Sequence, residues 1–110
     1  MDAAASAISD PVRRGVLDAL AGGPLAAGDI AARFDISRPA VSRHLRVLRE
    51  CGLVSGRADG RRRVYALETA PLRPVAAWIA ALDGGGGWEQ RMDALDTEVR
   101  RTRRDRRAAA

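Results

Sequence analysis

Lysine is absent from this sequence, histidine and cysteine occur once each, and aromatic residues make up 4% of its 110 residues. Each scarcity removes a class of protein. One cysteine, Cys51, cannot close an internal disulfide framework. With His44 as the one histidine, soft ligands are too few for a tetrahedral zinc site. No apolar run approaches the ~20 residues of a membrane span. Residues 1–9 lack the basic start and long apolar stretch of a secretory signal, so a cytoplasmic location is expected. Nothing resembles an activated nucleophile, a metal cluster or a phosphate loop, so neither an enzyme nor a cofactor is expected. With few aromatics, the core must come from Ala, Val, Leu and Ile. Apolar residues reach 46%, enough for one domain.

The basic residues, by contrast, are plentiful and uneven. All 19 are Arg, and the formal net charge is +5. Residues 37–63 carry eight Arg against two acids, whereas residues 1–36 and 64–99 are each net acidic. From Arg100 onward there are six Arg and one acid. A basic centre in an otherwise acidic body is the electrostatic footprint of a site for a polyanion. The plainer alternative is a solvated basic face, or one that meets an acidic protein partner.

Asp10-Pro11 opens a first helix, Asp as cap and Pro at the first position. Val12, Val16, Leu17 and Leu20 then share one face, and Gly22-Gly23-Pro24 stops the helix. A second helix is expected at about residues 27–34, with Ile30, Ala31 and Phe34 inward. Asp35-Ile36-Ser37 makes a tight connection, with Ile36 directed to the core. Ser37 caps a third helix, Arg38–Glu50. At 100° per residue its Val41, Leu45 and Leu48 fall together and face inward. Pro39, Arg43 and Arg46 lie opposite, Ser42 on a flank, and His44 nearer the buried edge. Gly52 ends this helix as a left-handed cap.

Asp59-Gly60 then signals a hairpin with Ala58 opposite Arg61 and Val54 opposite Tyr65. It directs Val54, Tyr65 and Leu67 inward and sends Arg61, Arg62 and Arg63 to the tip. Pro71 and Pro74 mark the start of a helical remainder. Val75, Trp78, Ile79 and Leu82 form one stripe; Trp88, Met92, Leu95 and Val99 form another. Gly84–Gly87 between them favours a break or kink, although the apolar phase also runs on across it. Residues 1–99 read as one mainly α domain with a small β-hairpin wing, and residues 100–110 as a disordered basic arm.

A short helix, a three-residue turn, a helix with an Arg/Ser outer face and a basic hairpin suit double-stranded DNA. The outer face of the third helix is the width of a major groove. Arg38 and Arg43 can each donate a bidentate pair to guanine, while Ser37 and Ser42 reach phosphate near the helix start. Arg61, Arg62 and Arg63 would grip the neighbouring backbone or minor groove. His44 suits a groove contact or a structural hydrogen bond. Cys51 reads as a small apolar group, with a redox role, helped by Arg49, as its alternative.

The stretch Ser37-Arg-Pro-Ala-Val-Ser-Arg-His-Leu-Arg-Val-Leu-Arg-Glu-Cys-Gly-Leu-Val54 resembles the recognition-helix signature of the ArsR/SmtB winged-helix repressors. Asp10-Pro-Val-Arg-Arg14 and Gly60-Arg-Arg-Arg-Val-Tyr65 resemble that family's first helix and wing. The resemblance covers about residues 8–82. It implies a winged helix-turn-helix homodimer, paired through its first and last helices and seated on a two-fold operator. It also implies that Ser37, Arg38, Pro39, Ser42, Arg43 and His44 enter the groove. The sequence departs from the family's metal sensors: residues 29–34 hold no cysteine pair, and no histidine follows His44. A non-metal member with an unidentified signal is the resulting expectation. Asp83, Glu89, Asp93 and Asp96 suit a hard cation or, more simply, solvent. Trp78 and Trp88 suit packing or a small-molecule effector pocket between subunits.

Overall fold

The computed structural model describes residues 1–84. The expectations placed on residues 85–99, including Trp88, Met92, Leu95 and Val99, and on the Arg tail lie outside the described residues. The chain divides into a compact unit, Met1–Val75, and a second unit beginning at Ala76. In order, the elements are α1 (Asp2–Ala7), α2 (Pro11–Ala21), β1 (Leu25–Ala26), α3 (Ala27–Ala31) and α4 (Arg38–Glu50). They continue with β2 (Val54–Asp59), β3 (Arg62–Leu67), a 3₁₀ turn (Ala70–Leu72) and α5 (Arg73–Gly84). This is the expected winged helix-turn-helix, mainly α with a small sheet of order β1-β3-β2.

The helices start where capping chemistry puts them. Asp10 Oδ2 accepts the Arg13 backbone N–H at 2.9 Å, with Pro11 at the first position of α2. Ser37 Oγ accepts the Ala40 N–H at 3.3 Å at the head of α4. At its far end the Leu53 N–H reaches Leu48 O (2.9 Å) and the Gly52 N–H reaches Arg49 O (3.1 Å). With Gly52 at φ +78°, this is a complete Schellman closure, and it delivers Leu53 straight into the core. Val16, Leu17, Leu20, Ile30, Val41, Leu45, Leu48, Leu53, Val54 and Tyr65 pack in one cluster with Val75. No buried residue among those described is polar or charged.

Several expectations are corrected. Helix α1 was not foreseen, because six mostly Ala residues show no apolar stripe and are too short to hold helix alone. It buries Ala4 and Ala7, and two Arg of α2 close its end. Arg13 Nε donates to Ala7 O (2.7 Å), and Arg14 donates to Ile8 O (2.8 Å). Helix α3 stops at Ala31 rather than Phe34. Beyond it the Arg33 and Phe34 N–H groups bond to Ile30 and Ala31 carbonyls, tightening the path into i→i+3 turns. That tightening leaves Ile36 38% exposed instead of inward.

Strand β1 also went unread, since two residues carry no periodicity; it pairs Leu25 with Tyr65 and Ala26 with Val64. The hairpin turns one residue later than expected. Asp59 pairs with Arg62, Ala58 with Arg63, and Val54 with Leu67 instead of Tyr65. An Asp59-Gly60 turn of the expected kind needs positive φ at both residues; here only Gly60 takes it (φ +64°), as first central residue of a Gly60-Arg61 loop. Displacing the partner by two keeps every side chain on its face, so Val54 and Tyr65 are still buried. In α5 only Val75 of the expected stripe is buried; Trp78, Ile79 and Leu82 are exposed.

Phe34 finds its seat on Gly15 in the middle of α2, where a Cβ would stand 2.9 Å from the ring. Helix propensity favours Ala over Gly there by about 1 kcal/mol, whereas forcing an aromatic ring out of a packed site costs about 1–3 kcal/mol. Gly15→Ala is therefore expected to lower stability by roughly 1 kcal/mol and the melting temperature by several degrees. The sign should reverse in a Phe34→Leu background; a stabilising Gly15→Ala in the parent chain would refute the packing argument.

Candidate nucleic-acid interface

Burial of Val41, Leu45 and Leu48 fixes the rotation of α4, so its remaining faces are set without further choice. Ser37, Arg38, Pro39, Ser42, Arg43 and Arg46 are all exposed. Pro39, Ser42, Arg43 and Arg46 line one shallow cleft, shared with Arg49 and an edge of Tyr65. Arg38 departs from this group. Its guanidinium leans over α3, 3.3 Å from where a Gly28 Cβ would be, and lines a smaller hollow with Ala27, Gly28 and Ser42. Ser37 spends one of its two oxygen lone pairs on the cap, with its hydroxyl proton left to donate.

Arg61, Arg62 and Arg63 sit together at the start of β3 and line a third concavity with residues 26–29. Arg62 donates to Asp29 Oδ2 at 3.2 Å, an exposed pair of little energetic weight that tethers the wing to α3. The other seven Arg between residues 37 and 63 have no acidic partner among the described residues. A row of exposed guanidiniums with no internal counter-charge is an arrangement that attracts an external polyanion.

His44 stands apart from the outward face. Its side chain is 22% exposed, and its Nδ1 lies 3.3 Å from an Arg13 terminal nitrogen and 3.8 Å from Asp10 Oδ2. Of the two roles open to it, the hydrogen bond into the domain is made. Cys51 is half-buried and donates its thiol proton to Leu48 O at 3.4 Å, as a small apolar residue with a weak donor does. No group of three or more potential metal ligands occurs among the described residues.

Arg49 and Tyr65, which line the cleft, and Arg57, exposed on the wing, were not among the expected site residues. Arg49 was legible: seven residues after Ser42, it falls within about 20° of it on the helix. Arg57 lies exposed on β2 opposite Val64, three residues before the Gly60-Arg61 loop. Tyr65 carried no such signal. It reads as core, and does cover Gly56 on the facing strand, but it also lines the cleft beside α4, a placement that spacing along the chain does not signal.

Asp10 has its carboxyl held below the ordinary aspartate range, first by the Arg13 backbone N–H. Partial desolvation opposes this, and the nearby charges of His44 and Arg13 reinforce it. A carboxyl with a depressed folded-state value adds stability above its unfolded value, and the gain disappears as pH falls through the folded value. The stability gap between the parent and Asp10→Asn, which keeps a capping oxygen, should persist from pH 7 to about pH 4 and close below it. Urea melts across that range measure it. A gap independent of pH would show that the charge plays no part.

The sequence profile of the arsR family of bacterial regulatory proteins matches residues 10–55. Over 73 residues the chain is 44% identical to the transcriptional repressor SdpR of Bacillus subtilis, covering 66% of this chain and 81% of that protein. Over 88 residues it is 43% identical to the HTH-type transcriptional regulator Rv2034 of Mycobacterium tuberculosis, covering 76% and 82%. Among solved structures, an ArsR-like transcriptional regulator from Rhodococcus sp. RHA1 superposes with a TM-score of 0.66 at 31% identity, covering 86% of this chain and 87% of that one.

Proposed function

The chain belongs to the arsR family of bacterial regulatory proteins, and we propose that it is a repressor that binds a palindromic operator as a homodimer and leaves it on a non-metal signal. The observation that carries this reading is the outer surface of α4 and the wing. Seven guanidiniums stand there without an acidic partner among the described residues. Inside a folded domain such charges repel one another; against a duplex each can displace a condensed counterion.

In this reading α4 lies in the major groove. Arg43, Arg46, Ser42 and Pro39 meet base edges and the near backbone, with Arg38 and Ser37 at the leading end. Arg61, Arg62 and Arg63 hold the flanking strand, and Arg62 exchanges Asp29 for phosphate. Pairing of two copies is supported by Trp78, Ile79 and Leu82, which α5 leaves more than half exposed. The name of the Bacillus relative, a transcriptional repressor, supports repression. One cysteine and one histidine in the whole chain support a signal other than a transition metal. The effector is then a small molecule, or a change of state of the chain itself. A cytoplasmic location on the nucleoid goes with this role; no helix among the described residues is long and apolar enough to cross a membrane.

Selection of bound genomic fragments tests the reading directly: it should return an inverted repeat with half-site centres about 34 Å apart, or a multiple of that. On the selected duplex Arg43→Ala should lose about 1–3 kcal/mol, roughly 5- to 150-fold, with a smaller loss on random DNA. Arg63→Ala should weaken both alike and make the salt dependence shallower by about one counterion. Equal losses from Arg43→Ala on both duplexes would remove it from base readout.

A further inference from the structure

Arg13, Asp10 and His44 meet where the head of α2 packs on α4. The Arg13 guanidinium donates to Ala7 O (2.7 Å) and Ser6 O (3.3 Å), and its remaining terminal nitrogen lies 3.3 Å from His44 Nδ1. A guanidinium has only donors, so that contact is a hydrogen bond only when Nδ1 is the acceptor. The ring proton of neutral His44 then belongs on Nε2. Asp10 pulls the other way, but its Oδ2 is 3.8 Å from Nδ1, beyond hydrogen-bond reach, and already accepts the Arg13 backbone N–H at 2.9 Å. Nε2 has no hydrogen-bond partner among the described residues. No buried side-chain nitrogen or oxygen is left unpartnered there, so Nε2 reaches solvent.

We propose that Arg13 is a positioning residue for DNA binding, which by donating to Nδ1 holds His44 as the Nε2–H tautomer and so offers a neutral donor from α4 to a backbone phosphate oxygen. The proposal rests on α4 being the DNA-facing helix. Phosphate rather than a base edge is the partner because His44 lies about 60° from the centre of the buried stripe, at the flank of α4 and not on its outermost line. Which ring nitrogen carries the proton is set by the bond the other one makes, and here that bond comes from a residue that cannot give it up by deprotonation. Because the same guanidinium closes the end of α1, docking of α1 and the state of His44 are joined through one side chain.

Long-range ¹H–¹⁵N correlation spectra of the ¹⁵N-histidine-labelled chain test the first step at about pH 8, above the ordinary imidazole range. Without DNA, Nδ1 should show the shift of an unprotonated ring nitrogen and Nε2 that of a protonated one. In Arg13→Ala the two should move toward a mixed value. If that variant does not fold, a proton on Nδ1 in the parent still overturns the proposal, and Arg13→Lys, which keeps a donor, supplies the comparison. With a duplex enriched by the protein from a randomised pool, His44→Ala should weaken binding roughly ten- to hundredfold. The loss caused by the Arg13 substitution should largely vanish in the His44→Ala background. A proton on Nδ1 in the parent, or an undiminished Arg13 effect without His44, would overturn the proposal. Failure to enrich any duplex would instead overturn the DNA reading, and the spectrum of the free chain tells these two failures apart.

Discussion

Three aliphatic side chains on α4 govern everything outside it. Val41, Leu45 and Leu48 occupy a stripe narrow enough to leave most of the helix circumference to solvent, yet their burial allows only one rotation about the helix axis. Ser37 closes one end, and the Schellman turn at Gly52 closes the other. Since Leu53 is buried immediately after that turn and Val54 begins β2, the wing leaves α4 at a fixed place and angle. Helix face and wing are therefore joined directly through a buried residue, the kind of linked surface that reading a duplex over several base pairs requires.

Charge is partitioned with the same economy. The core among the described residues holds no polar or charged residue, so every guanidinium among them either works at the margin of the fold or faces outward. Arg13 and Arg14 belong to the first group: they donate to carbonyls at and just beyond the end of α1, Ala7 O, Ser6 O and Ile8 O. The Arg of α4 and the wing belong to the second, with Asp29 on Arg62 as the one internal counter-charge among the described residues. Using Arg alone suits both tasks, because its planar fork can satisfy two carbonyls at once or two acceptors of a phosphate or guanine.

The legible parts of the sequence were those governed by local rules. Caps at Asp10, Ser37 and Gly52 and the spacing of Val41, Leu45 and Leu48 located α2 and α4 to within a residue, and with them the outward positions of Ser42, Arg43 and Arg46. Elements without their own signal were lost. An Ala-rich α1 and a two-residue β1 have no periodicity to read, and both exist because a partner elsewhere completes their hydrogen bonds: Arg13 and Arg14 for one, β3 for the other. Arg38 lay on the expected helix but turned aside onto Gly28, a move that spacing along α4 does not encode.

The chain order of apolar and basic residues, taken alone, determined that a helix with a basic back would be held by an aliphatic front and followed by a basic hairpin. Those features come from turn-by-turn geometry, in which each side chain's direction follows from its neighbours. Tertiary structure alone decided which strand pair met in which register, which side of Tyr65 faced the cleft, and that Arg13 would come within 3.3 Å of His44. These depend on contacts between residues far apart in the chain, where steric fit and the choice among competing donors and acceptors are made only once the elements have packed.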